Sequence, residues 1–273
     1  MRSNRRDVLN IKHSSKEDRR FKENIKTIAH FEVQSFLNPP VCHFGGTNST
    51  RLLAESVQIG KGDHVLEVGC GTGGTACYLA RRYGCQVMGV DIAKGMIENA
   101  KKRVRKESLG DKVRLVRADG RRLPFRDETF DCVIAEAATD WEINEMVKER
   151  ARVTKQGGYV GIADSFWRGK PPKELVKRLY QAEGHVETLT LGEWRGALAE
   201  AGLAEIKIMD LNYNYRSEMV KIFLYYMLHL PQMLVSLASS PSTLWKFLLR
   251  KNYLHVMWEE SEYFGWGVYV GRK

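Results

Sequence analysis

Val65-Leu-Glu-Val-Gly-Cys-Gly-Thr-Gly-Gly74 is a short apolar run that breaks into glycines. His64–Val68 reads as a buried strand, and helical spacing takes over from Gly73 to Tyr83, so the glycines fall on a strand-to-helix turn. Glycines there let the backbone turn sharply and come close to a ligand, while the helix N-terminus supplies free N–H groups. Gly69, Gly71 and Gly74 also satisfy the G-x-G-x-x-G spacing of dinucleotide-binding turns. The loop alone therefore does not say which ligand it holds.

Outward from this turn, strands alternate with helices. Strands are expected at Gln86–Val90, Val113–Arg117, Phe130–Ala135, Tyr159–Ala163, Ala204–Leu211 and Gly265–Val270, and helices at Lys94–Lys106, Trp141–Val153 and Thr190–Ala201. Such alternation gives an α/β fold, a doubly wound, Rossmann-like and mostly parallel sheet of seven strands covered on both faces. Ahead of it, residues 16–37 read as an amphipathic helix stopped by Asn38-Pro39-Pro40, and Thr50–Val57 as another helix. About fifty residues from Asn212 to Glu262 separate the last two strands, where a short turn would suffice. Their content is helical and apolar, so they read as an inserted cap. The domains are then 1–46, a basic helix and loop; 47–211 with 263–273, the ligand-binding domain; and 212–262, the cap.

Carboxylates sharpen the reading of the loop. Glu67 stands two residues before the first glycine, where it would repel a pyrophosphate but suits an α-ammonium. Asp91 ends the second strand, placed to accept hydrogen bonds from both ribose hydroxyls. Asp119 ends the third, placed to accept from an adenine amino group, and Ile92 and Met96 offer apolar surface to the ring. NAD explains Asp91 but neither Glu67 nor Asp119; S-adenosylmethionine (SAM) explains all three. Singly, each has a plainer reading: a tight turn for the glycines, a helix cap for Asp91 or Asp119, core for Ile92 and Met96.

Val65-Leu-Glu-Val-Gly-Cys-Gly-Thr-Gly, Val90-Asp91, Ala118-Asp119, Leu123-Pro-Phe-Arg-Asp-Glu-Thr-Phe-Asp131 and Gln156-Gly-Gly-Tyr-Val160 resemble the successive motifs of class I SAM-dependent methyltransferases. The resemblance covers roughly residues 43–163 and is nearest to the branch of ubiquinone/menaquinone C-methyltransferases (methyltransferase type 11) and small-molecule N-methyltransferases. It implies a methyltransferase whose SAM site is lined by Glu67, Gly69, Gly71, Gly73, Asp91, Ile92, Asp119 and Gly120, to which position in the loop and on the helix after Asp91 adds Cys70 and Met96 as candidates. Glu136, after the fourth strand, would sit beside the methionine part or the acceptor.

The chain has 273 residues, an apolar share of 43% and a net charge of +10, enough for a sizeable core and a preference for anionic surroundings. Residues 1–26 hold nine Lys/Arg against four Asp/Glu. Five cysteines without a C-x-x-C pair point to a reducing compartment and away from a metal or disulfide framework. The N-terminus lacks the apolar stretch of a signal peptide, and the longest apolar region, Ile222 to Ala238, is interrupted by His229, Pro231 and Gln232. A cytoplasmic protein, able to touch a membrane peripherally, is expected.

Methyl transfer needs a nucleophile held in line with the donor's S–CH₃ bond, and an amine or phenol acceptor needs a general base. Glu136 and Asp164 at strand ends, with His43 from the N-terminal loop, are the candidates. The apolar cap, with Phe223, Tyr226, Met227 and Trp245 among its residues and Lys221, Lys246, Arg250 and Lys251 flanking it, favours a lipophilic acceptor such as a prenylated quinone or an isoprenoid-like molecule. A small polar amine is the alternative, and a non-catalytic SAM-binding partner subunit a further one. Nucleic acid is not expected, because no RNA-binding module or N-P-P-Y/F motif follows the fourth strand. Arsenic chemistry at Cys70 and Cys77 is set aside, since both stand where small residues pack.

Overall fold

The computed structural model describes residues 43–139, 142–183, 187–213, 215–228, 258–259 and 261–273. The helix expected over 16–37 lies outside these residues. The described elements run α1 (Gly46–Ser56), β1 (His64–Val68), α2 (Gly74–Tyr83), β2 (Gln86–Asp91), α3 (Lys94–Lys106), β3 (Val113–Arg117) and β4 (Phe130–Glu136). There follow α4 (Ile143–Val153), β5 (Thr154–Trp167), α5 (Lys173–Glu183), α6 (Leu191–Glu200), β6 (Ala204–Asp210), α7 (Tyr215–Leu228) and β7 (Phe264–Arg272).

The seven strands form one sheet in the order β3-β2-β1-β4-β5-β7-β6. The neighbours from β3 to β5 pair parallel, while β7 pairs antiparallel with both β5 and β6. Six strands thus point one way and β7 points back. After β3 the chain crosses to the other side of β1 to make β4. That reversal opens a crevice at the carboxyl ends of β1 and β4, where open α/β sheets bind ligands.

The pleat sorts the core into two faces. Val65, Ile134 and Val87 point to the face covered by Leu53 of α1 and Leu79 of α2. Leu66, Val68, Val133 and Ala135 point to the other. On that side Val160 and Ile162 of β5 pack with Ile143 and Val147 of α4 and Trp194 and Leu198 of α6. Leu53, Leu66, Leu79 and Ile134 are fully buried, each worth about 1.5–3 kcal/mol relative to exposure. Thr190 opens α6 with a capping box, its hydroxyl accepting from Glu193 N while the Glu193 carboxylate accepts from Thr190 N.

Three elements differ from expectation by more than one or two residues at an end. Helix α1 begins at Gly46, ahead of Thr50, and has no side-chain cap. Strand β5 extends to 14 residues, from Thr154, which pairs with Phe130 of β4, to Trp167, as far as which β7 pairs along it. Helix α5 was not expected; it buries Leu175 and Leu179 at helical spacing. Of the expected cap, residues 212–213, α7, residues 258–259 and residues 261–262 are described. Among the described residues, no helix is long and apolar enough to cross a membrane.

Candidate active site

The glycine turn is pinned to the neighbouring strand. Gly69 and Cys70 both donate backbone N–H to Val90 O, at 2.8 and 2.9 Å, which swings the chain across the end of β2. Gly69 has φ +78, and a side chain there would run into Ala138 in the loop after β4. Gly71, at φ +50, faces open space. Gly73 caps α2, also with positive φ. Asp91 bridges this loop to the next: Oδ2 accepts from Gly71 N and Oδ1 from Ala93 N, both at 2.9 Å.

Glu67 lies on the α2 side of β1 among apolar residues and is 4% exposed. It accepts a hydrogen bond from Ala76 N–H, but its Oε2 is buried and has no partner. Burial, reinforced by Glu136 and Asp91, pushes its pKa well above the usual carboxylate range. A buried carboxylate oxygen without a partner, two residues before a glycine turn, is what a ligand ammonium would satisfy, so these residues fit the amino-acid end of SAM. Ile92 is half-buried, Met96 is buried in the first turn of α3, and Gly120 lies against Val68 and Met146.

Asp119 is not alone at its strand end. Arg121 grips both of its oxygens, with Nη2 2.7 Å from Oδ2, and donates its backbone N–H to Oδ1 as well. The same guanidinium reaches Glu142 at 2.8 Å. Arg121 was missed in the sequence; its place two residues beyond Asp119 was the available signal.

Glu136, Thr50, Thr75 and His43 converge at the end of β4. Glu136 Oε2 accepts from Thr50 Oγ1 at 2.9 Å and Thr75 Oγ1 at 3.0 Å, and His43 Nε2 stands 3.2 Å away. Glu136 Oε1 is buried without a partner. His43 Nδ1 lies 3.1 Å from Phe44 O, and its ring stacks over Trp266 of β7 at 6.5 Å and 7°. Burial alone would lower the His43 pKa; the Glu136 charge and hydrogen bond, the Phe44 carbonyl and Asp164 outweigh it, and the net direction is up.

Asp164 has different company. It accepts from Thr139 N at 3.1 Å and from Ser165 N at 2.8 Å. Burial raises its pKa, opposed by those bonds and by the charge of Arg150. Arg150, fully buried, donates to Thr139 Oγ1 and Ala138 O. Together Asp164 and Arg150 hold the loop that presses against Gly69. Cys70, Cys77, Cys85 and Cys132 are buried; burial pushes the Cys77 and Cys132 thiols up to about 12, leaving no thiolate at neutral pH.

Fold and site together define a SAM-type methyltransferase domain, and comparison with known proteins agrees. Residues 65–158 match the family model described as a methyltransferase domain. The chain is 37% identical to methyltransferase GfsG of Streptomyces halstedii over 133 residues, 45% of each protein. It is 29% identical to 27-O-demethylrifamycin SV methyltransferase of Amycolatopsis mediterranei over 185 residues, 64% of this chain and 66% of that one. The chain thus spans less than two thirds of the length of these curated relatives. It shares its fold with a putative sarcosine dimethylglycine methyltransferase from Galdieria sulphuraria, at a TM-score of 0.72 and 18% identity, covering 83% of this chain and 85% of that one. The chain carries a class I SAM-dependent methyltransferase domain, and SAM is the cofactor of that domain.

Proposed function

We propose that the chain is an enzyme that methylates a small lipophilic acceptor, of the prenylated-quinone or isoprenoid-like kind, with the acceptor seated beside Glu136 and His43. The observation that carries methyl transfer is the pair of buried, unpartnered carboxylate oxygens, Glu67 Oε2 and Glu136 Oε1, at the ends of β1 and β4. Glu67 Oε2 takes the ammonium of the cofactor. Asp91 takes the ribose, and Asp119, steadied by Arg121, takes the adenine amino group.

When bound, SAM supplies a methyl group already activated on a sulfonium. The residues of the chain therefore have to orient the acceptor and exclude water, and such positioning is worth ~7–11 kcal/mol of barrier. Above its raised pKa, His43 is neutral and accepts the acceptor's proton at Nε2. Glu136 stabilises the imidazolium that results, and Thr50 and Thr75 fix the carboxylate. Asp164 acts by positioning, holding Thr139 and Ala138 against Gly69.

Support for a lipophilic acceptor comes from α7, where Val220, Leu224, Met227 and Leu228 are exposed at helical spacing. We infer that α7 begins a cap over the strand ends spanning 212–262, and that its apolar face allows a peripheral contact with anionic membrane. The reading that the acceptor is a small amine rests on Glu136 Oε1, which would attract a cation. Calorimetry with S-adenosylhomocysteine and NAD, followed by methyl-transfer assays with a prenylated hydroquinone and with a small secondary amine, tests the proposal. Tight NAD binding without affinity for S-adenosylhomocysteine would overturn it, and turnover of the amine alone would replace the quinone reading. Binding to anionic vesicles that weakens with salt tests the membrane contact.

A further inference from the structure

The loop carrying His43 is held from the far end of the sequence. Gly45, two residues on, donates its backbone N–H to Glu218 Oε2 of α7 at 3.1 Å. The same residue leads into α1, whose N-terminus has no side-chain cap of its own. Glu218 places a carboxylate at the positive end of that helix. Its other oxygen is held by Lys221 at 2.5 Å, and its side chain is only 13% exposed. Tyr213, just before α7, lays its ring against Gly45 so closely that a Cβ there would collide with it. Arg216 ties the same stretch to Ser261 and Glu262 ahead of β7.

What Gly45 holds is the acid–base pair. On one side of it the chain presents His43 to Glu136; on the other, α1 presents Thr50 to the same oxygen. Charged groups facing His43 are Glu136 from β4 and Asp164 from β5, while α1 and β7 offer it Thr50 and Trp266. A shift of the loop would lengthen the His43–Glu136 contact without touching Glu67 or Asp91.

We propose that Glu218 and Tyr213 are positioning residues, which clasp Gly45 and so hold His43 on Glu136. The segment after β6, which the proposed function assigns to the acceptor, thereby also sets the protonation of the residue that takes the acceptor's proton. The inference rests on His43 and Glu136 being the acid–base pair, but its test reads the imidazole directly and needs no acceptor.

The experiment is a proton NMR titration of the His43 ring in the full chain, with its signal assigned by loss in His43→Gln. Wild type should titrate above the ordinary imidazole value of about 6.5. Glu218→Ala should bring the midpoint down toward that value. Glu218→Gln, which still offers Gly45 an oxygen acceptor, should keep most of the shift, and Gly45→Ala, which forces Tyr213 away, should behave like Glu218→Ala. Affinity for S-adenosylhomocysteine should change less than twofold in all three. An unmoved His43 midpoint in Glu218→Ala would overturn the proposal. So would a midpoint that moves only together with loss of S-adenosylhomocysteine binding, since that is general loosening. If the midpoint moves as expected while His43→Gln keeps full methyl transfer, the clasp stands and the acid–base reading of His43 falls.

Discussion

Replacing Gly69 with alanine should damage the protein in two separable ways. The residue has φ +78, and forcing an L side chain into that conformation costs roughly 1–2 kcal/mol. The new methyl would also lie closer than 3.0 Å to Ala138 Cβ, in a loop that Arg150 and Asp164 hold in place. Overpacking of that kind adds about 1–3 kcal/mol. The total of about 2–5 kcal/mol should lower the urea midpoint by roughly 1–2 M at unchanged slope. Adding Ala138→Gly in the same chain should recover the packing share and leave the torsional one. Gly71→Ala supplies the contrast. It has positive φ but open space around its Cβ position, so it should cost only about 1–2 kcal/mol of stability. In the proposed site its methyl would enter the space assigned to the cofactor, however, and affinity for S-adenosylhomocysteine should then fall far more than stability. Equilibrium unfolding and calorimetry measure both. A Gly69→Ala protein with the wild-type midpoint, or one that Ala138→Gly does not rescue, would refute the reasoning.

Glu67 has its pKa raised in the free protein, so folding should lose stability as pH climbs from about 4.5 toward that raised value. An ammonium against Oε2 opposes the shift, so S-adenosylhomocysteine binding at a pH between about 4.5 and the raised value should release a proton, seen as a buffer-dependent enthalpy that Glu67→Gln abolishes. Asp91→Ala should weaken S-adenosylhomocysteine by roughly 1.5–3 kcal/mol, because it removes acceptors for ribose and frees the Gly71 amide; wild-type affinity would mean the ribose lies elsewhere. His43→Gln should lower turnover by ~10²–10⁴ with cofactor affinity nearly intact, and full turnover would remove His43 from the chemistry. Its raised pKa means that stability from the Glu136 pair is present below about 6.5 and lost as pH rises through the folded value. Thr190→Ala breaks the capping box of α6 and should cost about 1 kcal/mol in thermal or urea unfolding.

What the sequence made legible is what short-range pattern encodes. The bounds of β1, α3 and β3 agree with expectation to the residue, because each is a clean apolar or helical period closed by turn residues. The glycine turn and its three acidic neighbours stood out in the sequence because each lies at or within two residues of a strand end. Helix α5 escaped notice because charged residues interrupt its apolar ones, although Pro171-Pro172 before it and the spacing of Leu175 and Leu179 were signals. The full length of β5 depends on β7, about a hundred residues further on, and no local pattern reports such a partner. The same holds at the site: Thr50 and Thr75 meet Glu136 across 86 and 61 residues. Arg150 gives only a helical Arg in sequence, and its burial beneath the loop after β4 becomes visible in three dimensions alone.

The single antiparallel strand bears on how the chain is made. Strand β6 pairs with β7 and with no other described strand, and β7 also covers the open edge of β5. On the ribosome, β6 emerges with residues 211–263 still to be added before β7 begins. At roughly 5–20 residues per second that interval is about 3–10 s. Throughout it, the 14-residue β5 presents an unpaired edge, and β6 has nowhere to dock. Trp266, on which His43 rests, also arrives at the end of that wait. The nascent protein can therefore close its glycine turn early, while the strand β3-to-β5 half of the sheet stays open to chaperones or to other unpaired strands until β7 zips it shut.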